Sequence, residues 1–328
     1  MDEHLLLMAE HNGGYLHRAD ILDNAGTDRQ IRGLVRAGLI RRIRVGTYAP
    51  SVTWDVLDPT ERHIVLARSV IDKFPSGAVA LSHHSALACH GVALHGVDLS
   101  TVHVVRLDAG GGRQESGVVH HRAEPSPESV TVVDGRHCVD APRAVWELAS
   151  ISSRRTGLVS MDSAVNLAMA TQEQIIAEGE HCRRWPGSRV ARMTARLVDG
   201  GAESAGETLA RLTCLDARLP RPQTQVEIRD ADGAFIARND LGWIELCHLG
   251  EFDGFRKYLR DLRPNEDPSG VLVREKLRED RLRSLGYGVS RMVWSEVQVD
   301  TSAATGRRLA HELAVSADRL TRGRRHVV

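Results

Sequence analysis

QTQVEIRDADGAFIARNDLGWIELCHLGEFDGFRKY, residues 223–258, decides the fold of the C-terminal part of the chain. Gln223–Arg229 alternates, with Val226 and Ile228 between polar neighbours, and Asp230-Ala231-Asp232-Gly233 has the chemistry of a tight turn. Residues 234–244 carry the chain back, and 246–252 make a third apolar run. Two acids stand where apolar partners are expected: Asp240 on the second strand and Glu251 near the end of the third. Asp253 lies two residues on, so it shares the face of Glu251. Working outward, ESAGETLARLTCL (203–215) reads as a helix carrying Glu207. VLVREKLREDRLRSLG (271–286) reads as another, followed by the strand YGVSRMVW (287–294). The order is helix, three strands, helix, strand.

That order, with an acid on each of two adjacent strands, resembles the PD-(D/E)xK nuclease fold, in the branch of the very-short-patch-repair endonucleases. ESAGETLAR, RNDLGW and GEFDG carry the resemblance, which covers about residues 200–300. It implies a restriction-endonuclease-like αβββαβ core in which Asp240 and Glu251 hold Mg²⁺ and Glu207 approaches from the flanking helix. The chemistry suits those residue types. Phosphodiester hydrolysis needs a cation to polarise the phosphoryl oxygen and activate water, and Mg²⁺ takes carboxylate oxygens while keeping several waters. The family places a lysine two residues after the strand-three acid; this chain has Asp253 there. Lys73, Lys257 and Lys276 are its only lysines. The last two flank the acids, so the catalytic set on this reading is Asp240, Glu251, Asp253, Lys257, Lys276 and Glu207. The plainer reading makes Lys276 and Asp280 a surface helix pair worth a few tenths of a kcal/mol.

At 328 residues, with 42% apolar and 26% charged side chains, the chain has the size and composition of two or three soluble domains. Five scattered cysteines without a CxxC argue against a disulfide framework or a zinc ribbon. No apolar run reaches the ~18 residues of a membrane span. The acidic N-terminus lacks the basic region of a signal peptide. A cytoplasmic protein is expected. Formal net charge is zero, but arginines cluster at 29–44, at 183–196 and in the final ten residues. Local basic patches of this kind, more than net charge, mark nucleic-acid binding.

The first of these patches lies in a patterned segment. Two short helices, around 4–11 and 17–24, precede Thr27-Asp28-Arg29-Gln30, which has the form of a capping box. In the helix that follows, Ile31, Leu34 and Val35 fall on one face and Arg29, Arg32 and Arg36 on the other. LIRRIRVGTYAP then reads as a two-stranded wing. An arginine stripe behind a buried apolar stripe is what a major-groove recognition helix requires. Arg29, Gln30, Arg32 and Arg36 are therefore candidate contacts to double-stranded DNA, and Arg41, Arg42 and Arg44 of the wing would hold phosphates.

This winged helix-turn-helix, with LSHHSALACHGVALHG (81–96) and VDAPRAVWELAS (139–150), resembles the antitoxins of type IV (AbiE-type) toxin–antitoxin systems over about residues 1–180. The resemblance implies transcription regulation through promoter DNA and a second domain that neutralises a nucleotidyltransferase toxin. Within that second domain His83, His84, His90 and His95, with Cys89, invite a metal site. On a helix, however, His83 and His90 are two turns apart, and packing is the favoured reading. Gly110-Gly111-Gly112 lacks the Lys-Ser/Thr and helix of a phosphate loop.

The expected architecture is α/β and multidomain. A winged helix spans 1–57, an α+β domain 58–198, the nuclease-like core 199–300, and a C-terminal helix with a basic tail 301–328. The expected function is a DNA-binding regulator of antitoxin type. The alternative is an active Mg²⁺-dependent DNA endonuclease guided by the winged helix.

Overall fold

A computed structural model describes residues 3–24, 26–108, 112–122, 125–254 and 268–325. The protein is mixed α/β, with sheets of three, six and four strands. It divides into two compact units, Met1–Leu197 and Val198–Val328.

Unit 1 opens with α1 (Glu3–His11), β1 (Leu16–His17), α2 (Arg18–Asp23), α3 (Asp28–Arg36), β2 (Ile40–Arg44) and β3 (Thr47–Pro50). These strands form an antiparallel sheet in the order β1-β3-β2. Thr27 starts α3: its hydroxyl oxygen accepts the Gln30 amide N–H at 3.2 Å. The hydroxyl also donates to the Gln30 side-chain oxygen at 3.0 Å, so the expected box closes between side chains, not on the Thr27 backbone. Gly38, at φ +68°, supplies the left-handed residue that ends the helix. Ile31 is buried with Ala9, Leu16, Ile21 and Ile40, and Leu34 packs against them. Val35, expected on the same face, is 38% exposed; so small a core does not cover the last turn of α3.

The second sheet of unit 1 contains β4 (Val79–Leu81), β5 (Val102–Arg106), β6 (Arg113–Glu115), β7 (Val118–His121), β8 (Val130–Val133) and β9 (Arg136–Val139). Their order is β6-β7-β5-β4-β9-β8. β5 and β7 pair in parallel, with His103 opposite Val119 and Val105 opposite His121. β8 and β9 form a hairpin whose turn, Asp134-Gly135, has positive φ at both residues, the twist a two-residue hairpin prefers. The helices are α4 (Ser51–Trp54), α5 (Pro59–Ile71), α6 (His83–Cys89), α7 (Ala141–Ile151), α8 (Arg154–Asn166), α9 (Gln172–His181) and α10 (Ser188–Ala195). Asp58 caps α5 in a full capping box with Glu61. Trp146, fully buried, leaves no room for a side chain at Gly179.

Unit 2 runs α11 (Ala205–Asp216), β10 (Gln223–Arg229), β11 (Phe235–Trp243), β12 (His248–Asp253), α12 (Pro268–Ser284), β13 (Gly288–Val293) and α13 (Ser302–Arg325). β10, β11 and β12 form an antiparallel meander, and β13 adds in parallel beside β12, as a helical crossover through α12 requires. Asp230 builds the first turn, its Oδ1 accepting the amides of Asp232 and Ala234 at 3.1 and 2.8 Å. The third strand starts two residues later than expected because Ile244–Leu246 is a 3₁₀ turn and Cys247 is left-handed, at φ +47°. Ile228, Ala237, Leu249 and Leu282 are buried together between sheet and helix. Gly206 lets α11 press on β12; a Cβ there would collide with the Phe252 ring.

Candidate nucleic-acid interface and acidic pocket

On α3 the arginine stripe is open. Arg29, Gln30, Arg32 and Arg36 are exposed, and none of the three guanidiniums is ion-paired among the described residues. Asp28, in the first turn, is held bidentately by Arg18 at 2.7 and 2.6 Å. That pair neutralises the one acid on this stretch, and the Arg18 guanidinium lowers the Asp28 carboxyl below its ordinary range. The wing arginines divide three ways. Arg41 is tied to Asp55 at 2.8 Å, Arg42 is exposed, and Arg44 donates to the Ser116 carbonyl at 2.8 Å. Burial lowers the pKa of Arg44. The stripe therefore supplies free guanidiniums on the helix, and the wing supplies fewer than its sequence suggests.

In unit 2, Asp240 ends one step beyond the Leu241–Gly250 pair of the β11–β12 ladder, which sets it opposite Glu251. Its Oδ2 accepts the Phe252 amide at 2.7 Å. Glu251 is buried, with Arg278 on Oε1 at 2.8 Å and Arg291 beside Oε2 at 3.6 Å. Arg291 also reaches Asp253 at 3.3 Å and Glu279 at 3.1 Å, so Glu251 and Asp253 do share a face. Glu207, 3% exposed, is engaged at the start of its own helix. It accepts from the Glu203 amide (2.9 Å), the Ser204 hydroxyl (2.8 Å) and the Gln225 side-chain amide (3.0 Å). Lys276 is exposed on α12, and Lys257 lies outside the described residues.

Mg²⁺ would need one or two of these carboxylates with oxygens turned to a shared point. As arranged, guanidiniums face both oxygens of Glu251, and Glu207 is spent on capping. Among the described residues, no three of these acids bring oxygens within the mutual separation expected of a common ion. A cation at Glu251 would have to share the carboxylate with Arg278 and Arg291. Sequence reasoning missed both arginines because Arg278 and Arg291 lie on α12 and β13, 27 and 40 residues beyond Glu251.

The histidines separate as well. His84 Nε2 bonds the Thr101 carbonyl at 2.9 Å and His90 Nε2 the Val139 carbonyl at 2.8 Å, which is packing chemistry as expected. His83 differs: it sits with His103 of β5 and His121 of β7, neither of which local spacing could nominate.

No protein-family profile matches the chain. It is similar to two proteins of Mycobacterium tuberculosis: uncharacterized protein MT2308 of strain CDC 1551 / Oshkosh and uncharacterized protein Rv2248 of strain ATCC 25618 / H37Rv. Each is 26% identical over 298 residues, which cover 89% of this chain and 98% of the relative. A match of that length exceeds either unit, so the relatives carry counterparts of both in one chain.

Proposed function

We propose that this chain is a DNA-binding regulator of antitoxin type. The observation that carries the reading is the row Arg29, Arg32 and Arg36, exposed and without carboxylate partners on a helix whose other face is buried. In this reading α1 to β3 is a winged helix: β1 closes a three-stranded antiparallel sheet with the hairpin β2–β3, and α3 is the recognition helix. Arginine in that position reaches guanine edges bidentately and phosphates at the groove walls. The rest of unit 1 is the surface that would receive a nucleotidyltransferase toxin. Unit 2, with its helix, meander, helix and parallel strand, has the order of a PD-(D/E)xK core. Its acid pocket is satisfied by Arg278 and Arg291, and no hydrolytic step is assigned to it.

The test is duplex binding by the full chain across a salt series. Arg32→Ala and Arg36→Ala should each weaken binding and flatten the salt dependence by about one unit per lost phosphate contact. Unchanged slopes in both variants would remove the recognition helix from the reading. An endonuclease remains the second reading, favoured by the cross-strand placement of Asp240 and Glu251. Mg²⁺-dependent cleavage that disappears in Asp240→Ala would install it instead.

A further inference from the structure

Unit 1 collects histidines at one place in its six-stranded sheet, outside the arginine face. β5 and β7 are parallel neighbours, and their register puts His103 and His121 diagonally on one face. β4 runs antiparallel to β5, with Leu81 opposite Val104, and two residues later the chain enters α6 at His83. The topology thus delivers three imidazoles from three elements. One ring nitrogen from each of His83, His103 and His121 lies within 4.8 Å of the other two. His121 Nε2 is 3.0 Å from His103 Nδ1.

Two neighbouring histidines show what an ordinary buried imidazole does here. His63 places its nitrogens on the Leu99 carbonyl at 2.8 Å and the Ser85 hydroxyl at 3.0 Å, and His84 is tied to Thr101. The three convergent rings are arranged differently: His83 Nδ1 stands 3.0 Å from the Ser82 hydroxyl, its ring stacks on that of His121 with centroids 3.8 Å apart, and His121 meets His103 nitrogen to nitrogen. His83 is 3% and His103 8% exposed. The His83 backbone is also left-handed, at φ +51°, a conformation that side-chain-bearing residues adopt at about 1–2 kcal/mol and that collects at functional sites. Burial keeps the rings in the neutral form that a metal requires, with His103 lowered to about 3 and His121 to about 4.

Behind the rings stands a buried carboxylate. Glu147, 1% exposed, accepts the His83 amide at 3.1 Å and lies 3.4 Å from its ring Nδ1. Arg143 holds Glu147 at 2.9 Å and Glu178 at 2.6 Å. Two acids thus share one guanidinium beside three neutral donors. A carboxylate oriented on a ligating histidine is the usual outer partner of such a ligand.

We infer that His83, His103 and His121 form a three-imidazole site for a first-row divalent transition metal, with Zn²⁺ as the reference ion, Glu147 orienting His83, and solvent in the remaining position. All-nitrogen donors select such ions over Mg²⁺ or Ca²⁺, which take oxygen. Zinc–imidazole bonds of about 2.0–2.1 Å set tetrahedral ligands about 3.3 Å apart. The His103–His121 pair already stands near that spacing. His121 is partly open to solvent, and completing the site requires its ring to turn out of the stack on His83. The site does not depend on the DNA-binding reading, and either stands if the other fails.

The experiment uses the full chain, stripped with chelator and titrated with Zn²⁺ by calorimetry and with Co²⁺ by visible absorption. One ion per chain should bind at micromolar or tighter Kd, and Co²⁺ should give the intense bands of a four-coordinate nitrogen site. His121→Ala should weaken Zn²⁺ binding by about 100-fold or more, exceeding the loss typical of outer-shell partners. His11→Ala, at an exposed histidine on α1, should leave binding unchanged. The wild-type Co²⁺ spectrum needs no variant to fold. Absence of saturable binding to the wild type, or wild-type affinity in a folded His121→Ala chain, overturns the site.

Discussion

On α3 of unit 1 the guanidiniums of Arg29, Arg32 and Arg36 stand exposed, whereas in unit 2 Arg278 and Arg291 turn onto Glu251, Asp253 and Glu279. Both units bury a carboxylate on a guanidinium, Glu147 on Arg143 in unit 1 and Glu251 on Arg278 in unit 2, and the histidines concentrate in unit 1. Unit 1 packs neutral histidines, and desolvation lowers His63 to about 4. Unit 2 buries Glu251 against two guanidiniums. Residue type alone therefore does not say what partner a cluster takes. An anion approaching α3 meets unspent charge, and a transition-metal ion inside the sheet of unit 1 meets neutral donors. A cation entering the pocket of unit 2 has to share Glu251 with guanidiniums.

Acid should separate the two units most widely. His63 has a folded pKa of about 4 against about 6.5 unfolded, so its contribution is complete above about 6.5 and is lost as pH falls toward 4. The slope over that window is up to about 1.4 kcal/mol per pH unit for this one histidine, and His83, His84, His103 and His121 are lowered in the same direction. Among the described residues of unit 2, His248 is lowered in the same direction. Hydrogen exchange on the full chain, corrected for intrinsic rates, should show unit 1 losing protection first between pH 6.5 and 4. Earlier loss in unit 2 would break the contrast.

The next largest effect is Arg278→Ala. It leaves the Glu251 carboxylate, 8% exposed, with Arg291 at 3.6 Å. Removing one partner of a buried pair costs about 3–5 kcal/mol. Arg278 is itself 27% exposed, so about 2–3 kcal/mol is expected from the urea transition of unit 2. Mg²⁺ should then stabilise the variant more than the wild type, because the carboxylate it needs has been released. Equal stabilisation of both would show that Arg278 does not close the pocket.

Local rules made much of this legible. The meander was readable from alternation and the Asp230–Gly233 turn, and β10 falls on Gln223–Arg229 as read. α3 was readable from Thr27 and the Ile31/Leu34 spacing. These are signals within one element. What stayed hidden needs tertiary assembly. His83, His103 and His121 come together across 38 residues of chain, while the nearby His90, Cys89 and His95 supplied the local but misleading pattern. The β8–β9 hairpin escaped because Val130–Val133 has two exposed positions at its centre and no apolar alternation to announce it. Arg41 and Arg44 looked like Arg42 in sequence; only Asp55 and Ser116 distinguish them.

Arg41 gives the smallest effect and the finest test of the paired-versus-free distinction. Its pair with Asp55 is open to solvent, with side chains 53% and 47% exposed, so Asp55→Asn should change stability by no more than about 0.5–1 kcal/mol. Binding to duplex DNA should nevertheless strengthen, because the substitution removes a negative charge at the end of α4, beside the wing, and frees a guanidinium. The gain should be a few-fold at low salt, with a salt slope steeper by up to about one unit. It should fade as salt shortens the reach of surface charge. If the slope does not move, Arg41 lies off the DNA and the interface ends on α3. If binding weakens, the ion pair was holding the wing in shape, and pairing among these arginines serves the fold as much as it withholds charge.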